Sequence, residues 1–216
     1  MSSLHSVWSF LYSNSFWMGW NLFLALIPLV LSLFLFQPDS RSSSSLLWWL
    51  GILAFVTFLP NAPYVVTDLI HLIRAIQSTD SLLFNLLVIL PTYLLFVLVG
   101  FEAYVLCLIN LGRFLQQKGL SHWTTVIDLF LHGLCAIGVY LGRIERFNSW
   151  DLVMRPIQVL QKAIASVTTT QGLLFILLAT GVIALLHIIL KAITLALWLQ
   201  GQDLRLKQTD DLPTEL

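Results

Sequence analysis

The chain has 216 residues, 58% hydrophobic and only 10% charged, and its 11 basic and 11 acidic side chains cancel to a formal net charge of zero. An average soluble domain carries about 25% charged residues, so a soluble core cannot absorb this much apolar surface. Zero net charge and scattered basic residues exclude a nucleic-acid footprint, and the composition reads as an all-α polytopic membrane protein whose solvent is the lipid bilayer.

A spanning helix needs about 20 predominantly apolar residues. The first candidate runs over 16–36, with Trp17 and Trp20 where interfacial aromatics are expected, and ends at the polar "QPDSRSSSS". The N-terminal residues lack the positive region of a secretory signal, so this run is expected to stay as a helix. The second run, 46–59, gives only about 21 Å of helix, short of the hydrocarbon core. It must tilt, continue past the prolines of "LPNAPYVVTDLIHL", or stop inside the membrane. Pro60 and Pro63 predict a broken helix, followed by a short re-entrant or interfacial helix over 62–76 with Asn61 as its N-cap.

The third run, 82–111, spans with tilt and a kink at Pro91. Runs at 123–141 and 172–199 make the fourth and fifth spans. Between them, Pro156 to Val167 reads as an interfacial amphipathic helix, with Ile157, Leu160, Ile164 and Val167 on one face and Gln158, Gln161 and Lys162 polar. Residues 1–200 thus form one helical membrane domain, and 201–216 a polar, flexible tail.

Five spans put the 60–81 and 142–170 segments on one face, A, and the serine loop, the 112–122 loop and the tail on the other, B. Face A carries Arg74, Arg143, Arg146, Arg155 and Lys162, and face B Arg41, Arg113, Lys118, Arg205 and Lys207. The balance leaves orientation open under the positive-inside rule.

Two polar sets emerge from this topology. On face A, Asp68, His71 and Arg74 form one helical stripe. Arg143 and Arg146 emerge beside them from the fourth span, followed by Asn148, Ser149, Trp150 and Asp151. Pairing of Arg143 or Arg146 with Asp68 and Asp151 is the simplest way to satisfy these groups near lipid. The set reads either as a lock between helices or, with Asn61, as a site for an anionic or polar ligand. In the face B half, Glu102, Asp128, His132, His187 and Lys191 reach similar depths. They read as a Glu102 to Lys191 pair and an Asp128 to His132 hydrogen bond, or as a proton or ion path through the two histidines. Gly138 and Gly142 predict close helix contact. Cys107 and Cys135 fall in apolar runs and read as small buried hydrophobes. One histidine with scattered carboxylates falls short of a metal-ligand set, and phosphate-binding, nucleophile-elbow and zinc-protease patterns are absent. No metal and no cofactor are expected.

"WNLFLALIPL" at 20–29, "FLPNAPYVVTDLIHL" at 58–72 and "GVYLGRIERFNSWDLVMRP" at 138–156 together resemble the signature of a bacterial integral membrane family catalogued as domain of unknown function 1361. In that family the last motif often reads closer to "GRFLRWNSWD", so Ile144, Glu145 and Phe147 stand at variable places here. The resemblance implies a multi-pass protein of the bacterial inner membrane and assigns no activity. It carries over Pro60, Asn61, Pro63, Tyr64, Thr67, Asp68 and His71, with Gly142, Arg143, Arg146, Asn148, Ser149, Trp150 and Asp151.

The leading expectation is a scaffold, assembly or structural membrane protein with a polar pocket on one face, whose partner is another membrane protein or a second copy of the chain. A small permease-like or proton- or ion-conducting protein is the alternative. An embedded enzyme using Asp68 and His71 is the third.

Overall fold

A computed structural model describes residues 2–37, 45–148 and 150–210, with the side chains of 2–7, 9, 11, 153 and 204–210 excepted. Most of the serine loop, including Arg41, and Ser149 of the carried-over motif lie outside the described residues. Helices account for the regular structure, with no strand among the described residues. Five stretches are long and apolar enough to cross a bilayer: Tyr12–Leu35, Leu46–Gln77, Leu82–Gln117, Ser121–Arg143 and Thr170–Asp203. The chain is an all-α, multi-pass membrane protein.

The first span belongs to α1 (Ser2–Leu35). The second is assembled from α2 (Leu46–Phe58), α3 (Asn61–Tyr64), a 3₁₀ turn over Val65–Asp68 and α4 (Leu69–Gln77). Ser45 starts it by accepting the Trp48 amide at 3.2 Å, as an N-cap serine does. The α-helix is interrupted at the prolines, but more gently than expected. Leu59, Pro60, Tyr64 and Val65 all keep right-handed helical dihedrals, so the residues flanking the prolines are not driven into extended backbone. The reason is position: Pro60 and Pro63 fall at the cap and third residue of α3, where an amide hydrogen would have no intrahelical acceptor. Asn61 corrects its expected role as well. Its side-chain amide donates to the Phe58 carbonyl at 2.9 Å, so it closes the end of α2 and does not act as the N-cap of the next helix.

The third span starts with α5 (Leu82–Phe84), passes through a π-helical turn over Asn85–Ile89 and continues as α6 (Leu90–Gln117). Pro91 lies in the first turn of α6, immediately after the π turn, which absorbs the missing hydrogen bond at a helix junction. The fourth span is α7 (Thr124–Arg143), reached through a 3₁₀ turn at Ser121–Trp123. Then come α8 (Asp151–Met154), α9 (Pro156–Thr168) and α10 (Thr170–Asp210). At 41 residues, α10 extends roughly 60 Å, so ten residues of the expected flexible tail (201–210) continue the helix. Residues 211–216 lie outside the described residues.

The core lies where α1, α2, α3 and α6 meet. Phe55, Val65, Tyr93, Phe101, Tyr104 and Leu108 are fully buried there, and the Phe36 and Phe55 rings meet edge to face at 5.2 Å. Trp17, expected at the interface, instead packs inward against His71, Tyr93 and Phe96, while Trp20 remains half exposed. On α10, Leu174, Leu177, Leu178, Leu185 and Ile188 point outward, as lipid-facing side chains do. Between helices, lipid removes the hydrophobic drive, and close backbone approach takes its place. Gly138 and Gly142 supply that approach. A β-carbon on Gly138 would lie 2.5 Å from Pro60 Cβ, and one on Gly142 would lie 3.1 Å from Tyr64 Cε2. The glycine pair therefore seats α7 on the proline segment, a contact within one chain. Gly138→Leu is expected to cost about 1–3 kcal/mol by overpacking this seam, read as a lower unfolding midpoint in mixed micelles, and a midpoint equal to that of the parent would refute the contact.

The amphipathic α9 holds one surprise of orientation. Val159, Ala163 and Ser166 are the stripe turned toward the protein, and Ile157, Leu160, Ile164 and Val167 are exposed. α9 packs against α7 and α10. It is also tied by Lys162, whose ammonium lies 2.8 Å from a Glu145 carboxylate oxygen and is thereby held above the ordinary lysine range. What this exposed pair adds is present at neutral pH and is lost as pH rises through the raised Lys162 value.

Candidate functional site: an arginine-lined cleft between the second and fourth spans

The centre of the face A set is Asp68, which is 1% exposed. Asn21 of α1 donates to its Oδ2 at 2.9 Å, and Arg143 approaches its Oδ1 at 3.4 Å. His71 Nε2 is 3.9 Å from the same Oδ1, with its ring 5.1 Å from that of Trp17. Arg143 also donates to the Thr67 carbonyl and, at 3.5 Å, to the Tyr64 hydroxyl, and its guanidinium stands 5.5 Å from the Tyr64 ring centroid. Two of its acceptors come from the 3₁₀ turn: the tightened backbone turns the Thr67 carbonyl and the Asp68 carboxylate toward one cation. The carboxylate thus ties α1, the second span and α7 together.

Of the expected pairings, that of Arg143 with Asp68 forms, and Arg146 and Asp151 take no part in it. Asp151 accepts the Asn148 amide at 2.7 Å and lies 4.0 Å from Arg155, which closes the turn into α8. Arg146 and Arg74 make no ion pair among the described residues. Arg146 also adopts a left-handed backbone, φ 58°, among the described residues the only non-glycine to do so. That conformation costs an L-residue with a β-carbon roughly 1–2 kcal/mol, and it turns the chain at the end of α7, where the Phe147 amide returns to the Leu141 carbonyl at 3.0 Å.

Two adjoining compartments open here. One, about 330 Å³, is lined by Tyr64, Ile70, His71, Arg74, Gly142, Arg143 and Arg146. The other, about 310 Å³, is bounded by Asn21, Asn61, Asn148 and Arg146 among polar groups and by Trp20, Leu24, Leu141, Trp150, Leu152 and Val159 among apolar ones. Tyr64, Gly142 and Arg146 belong to both. Three guanidiniums and an imidazole therefore surround one compartment, and Asp68, which touches two of these groups, already serves Asn21 and Arg143. Such a site attracts negative charge.

Residues 20–186 match a family model described as Protein of unknown function (DUF1361). The chain belongs to that family. The match contains every residue lining both compartments, and it ends short of Lys191. No curated protein and no solved structure matches the chain. In this DUF1361 chain, Asn21 and Tyr64 are central to the site although residue chemistry alone does not single them out. Both stand inside the signature stretches "WNLFLALIPL" and "FLPNAPYVVTDLIHL", and that is the signal the sequence offers.

The face B set is brought together with other partners than expected. Lys191 Nζ lies 3.5 Å from Asp128 Oδ2, not on Glu102, and Glu102 accepts the Thr194 hydroxyl at 2.6 Å. His132 bonds the Tyr104 hydroxyl through Nδ1 at 2.6 Å, not Asp128, and its ring meets His187 edge to face at 4.9 Å. The physical reason is helix rotation. Asp128 and His132 share one face of α7, and the matching face of α10 presents Lys191 and His187, so the rungs form across the seam and not along either helix. Asp128 Oδ1 and His187 Nε2 find no partner among the described residues. Cys107 and Cys135 are free thiols in the core. Among the described residues no three His, Cys, Asp or Glu side chains converge on a possible metal site.

Proposed function

We propose that the protein is a membrane-embedded, non-catalytic binder of anionic ligands, with the arginine-lined cleft as its site and the bilayer as its permanent partner. The observation that carries this reading is the surplus of positive charge: Arg74 and Arg146 line a compartment and make no ion pair among the described residues, while Asp68 is held by Asn21 and Arg143. Arg143 and Asp68 frame the site, and Arg74, Arg146 and His71 are the groups that meet the ligand. Both assignments support a holding or presenting role more than chemistry, because among the described residues no activated nucleophile stands beside His71. A scaffold that docks another membrane protein draws its support from the outward apolar stripe of α9. The proton- or ion-passage reading draws on His132 and His187, but toward face A their seam continues into apolar Ala136 and Ile183, which offers no relay. Residence in a bacterial inner membrane rests on the family resemblance.

The test uses Arg146→Gly. Glycine accepts the left-handed backbone freely, so this variant is expected to be more stable than the parent by about 1 kcal/mol while losing its response to anions. The purified full chain in phosphatidylcholine nanodiscs is titrated with glycerol phosphate, and the unfolding temperature is followed. The parent is expected to rise and the variant to stay flat. A parent that does not respond, or a variant that responds equally, overturns the proposal.

A further inference from the structure

We infer that the anion held in the cleft is the phosphate headgroup of a lipid, with its chain running along the second compartment; this rests on the anion-binding reading above. Three observations carry it. The cationic and the mixed compartments adjoin, with Tyr64, Gly142 and Arg146 lining both, so a headgroup in the first lies beside the second. The lining of the second compartment is mixed: Arg146 and the side-chain amides of Asn21, Asn61 and Asn148 stand with Trp20, Leu24, Leu141, Leu152 and Val159. A phospholipid joins the same kinds of group, an anionic phosphate, polar ester and glycerol, and an acyl chain. Finally, Trp20, Trp150 and Leu152 are exposed on the outside of the protein. Apolar lining of the second compartment therefore reaches the protein surface, where an acyl chain can enter.

Each compartment, near 300 Å³, sits at the lower limit for a small-molecule site. The pair suits a headgroup with the first carbons of one chain. A free anion would use the arginines and leave Leu24, Leu141 and Leu152 without a role. Of the lipid classes, a phosphomonoester such as phosphatidic acid suits the guanidiniums of Arg74 and Arg146 best, because it presents the most negative charge with no ammonium to oppose them.

The full chain in phosphatidylcholine nanodiscs is titrated with dioctanoyl phosphatidic acid, dioctanoyl phosphatidylcholine and glycerol phosphate, with the unfolding temperature as the readout. Dioctanoyl phosphatidic acid is expected to act at a concentration at least about tenfold below glycerol phosphate, since burial of a few methylenes supplies that factor. Phosphatidylcholine is expected to leave the unfolding temperature unchanged. Leu24→Gln is expected to remove the advantage of the acyl chains and keep the glycerol phosphate response. Leu152→Gln, at an exposed position, asks the same question should Leu24→Gln fail to fold. Equal potency of glycerol phosphate and phosphatidic acid sinks the lipid inference and spares anion binding. An unchanged advantage in Leu152→Gln also sinks it, because partition into the disc would then explain the tenfold difference. Silence toward every phosphate sinks both readings.

Discussion

Asp68→Ala is expected to destabilise the bundle by about 3 kcal/mol, the scale for removing one partner of a buried charged pair. The alanine leaves the Asn21 amide and the Arg143 guanidinium without their acceptor at the junction of three spans. Part of the loss is recovered by the solvent that reaches Arg143, whose side chain is a quarter exposed. Asp68→Asn keeps one carbonyl oxygen in place and is expected to lose roughly half as much, since a neutral hydrogen bond is about half as strong as a charge-assisted one. Unfolding in mixed micelles distinguishes the two, and equal losses would show that charge plays no part. His71→Ala removes a 3.9 Å contact to the same carboxylate and a ring contact with Trp17, so it is expected to fall within about 1 kcal/mol of the parent.

Lys191→Met is the second large effect. It strands the Asp128 carboxylate within the hydrocarbon part of the α7 and α10 seam, at an expected cost of about 3 kcal/mol. The Asp128→Leu, Lys191→Met double variant is expected to recover to within about 1 kcal/mol of the parent, because removing both charges removes the desolvation penalty along with the attraction. The cycle separates packing from passage. Recovery of stability with unchanged growth assigns the pair to helix packing. A double variant that is stable but loses a proton or ion flux measured in vesicles would restore the conducting alternative.

Much of the architecture is legible in the order of residues, and the reason is energetic. A bilayer demands about 20 apolar residues per span, so the five runs announce themselves in composition alone. The location of the second-span interruption is legible for a similar reason, since two prolines remove two donors whatever surrounds them. Its shape is not. Proline's fixed φ also suits a right-handed helix, so the choice between a full break and a tightened turn rests with neighbours that are distant in the chain, Gly138 and Gly142 against Pro60 and Tyr64. The pairings are still less legible. Depth along a helix can be counted, but rotation about its axis cannot, and one residue of rotation turns a side chain by about 100°. That is why counting matches Asp128 to His132 on its own helix and not to Lys191 across the seam, and why it gives Glu102 the wrong partner. Asn21 shows another limit. A single amide in an apolar span carries no partner in its own sequence, and its meaning appears only when α1 is laid beside the 3₁₀ turn. Arg146 shows the reverse case. Its type and position suggest a role, and only the backbone dihedral shows that it occupies a place where glycine would cost less.

The outward stripe of α9 has a mechanical consequence. Val159 forms part of the cleft wall, and it sits on the same short helix whose opposite side, Ile157, Leu160, Ile164 and Val167, rests on whatever surrounds the protein. A force on that outer side is therefore a force on the wall. The position of that wall is thus set by the seat of α9 on α7 and α10.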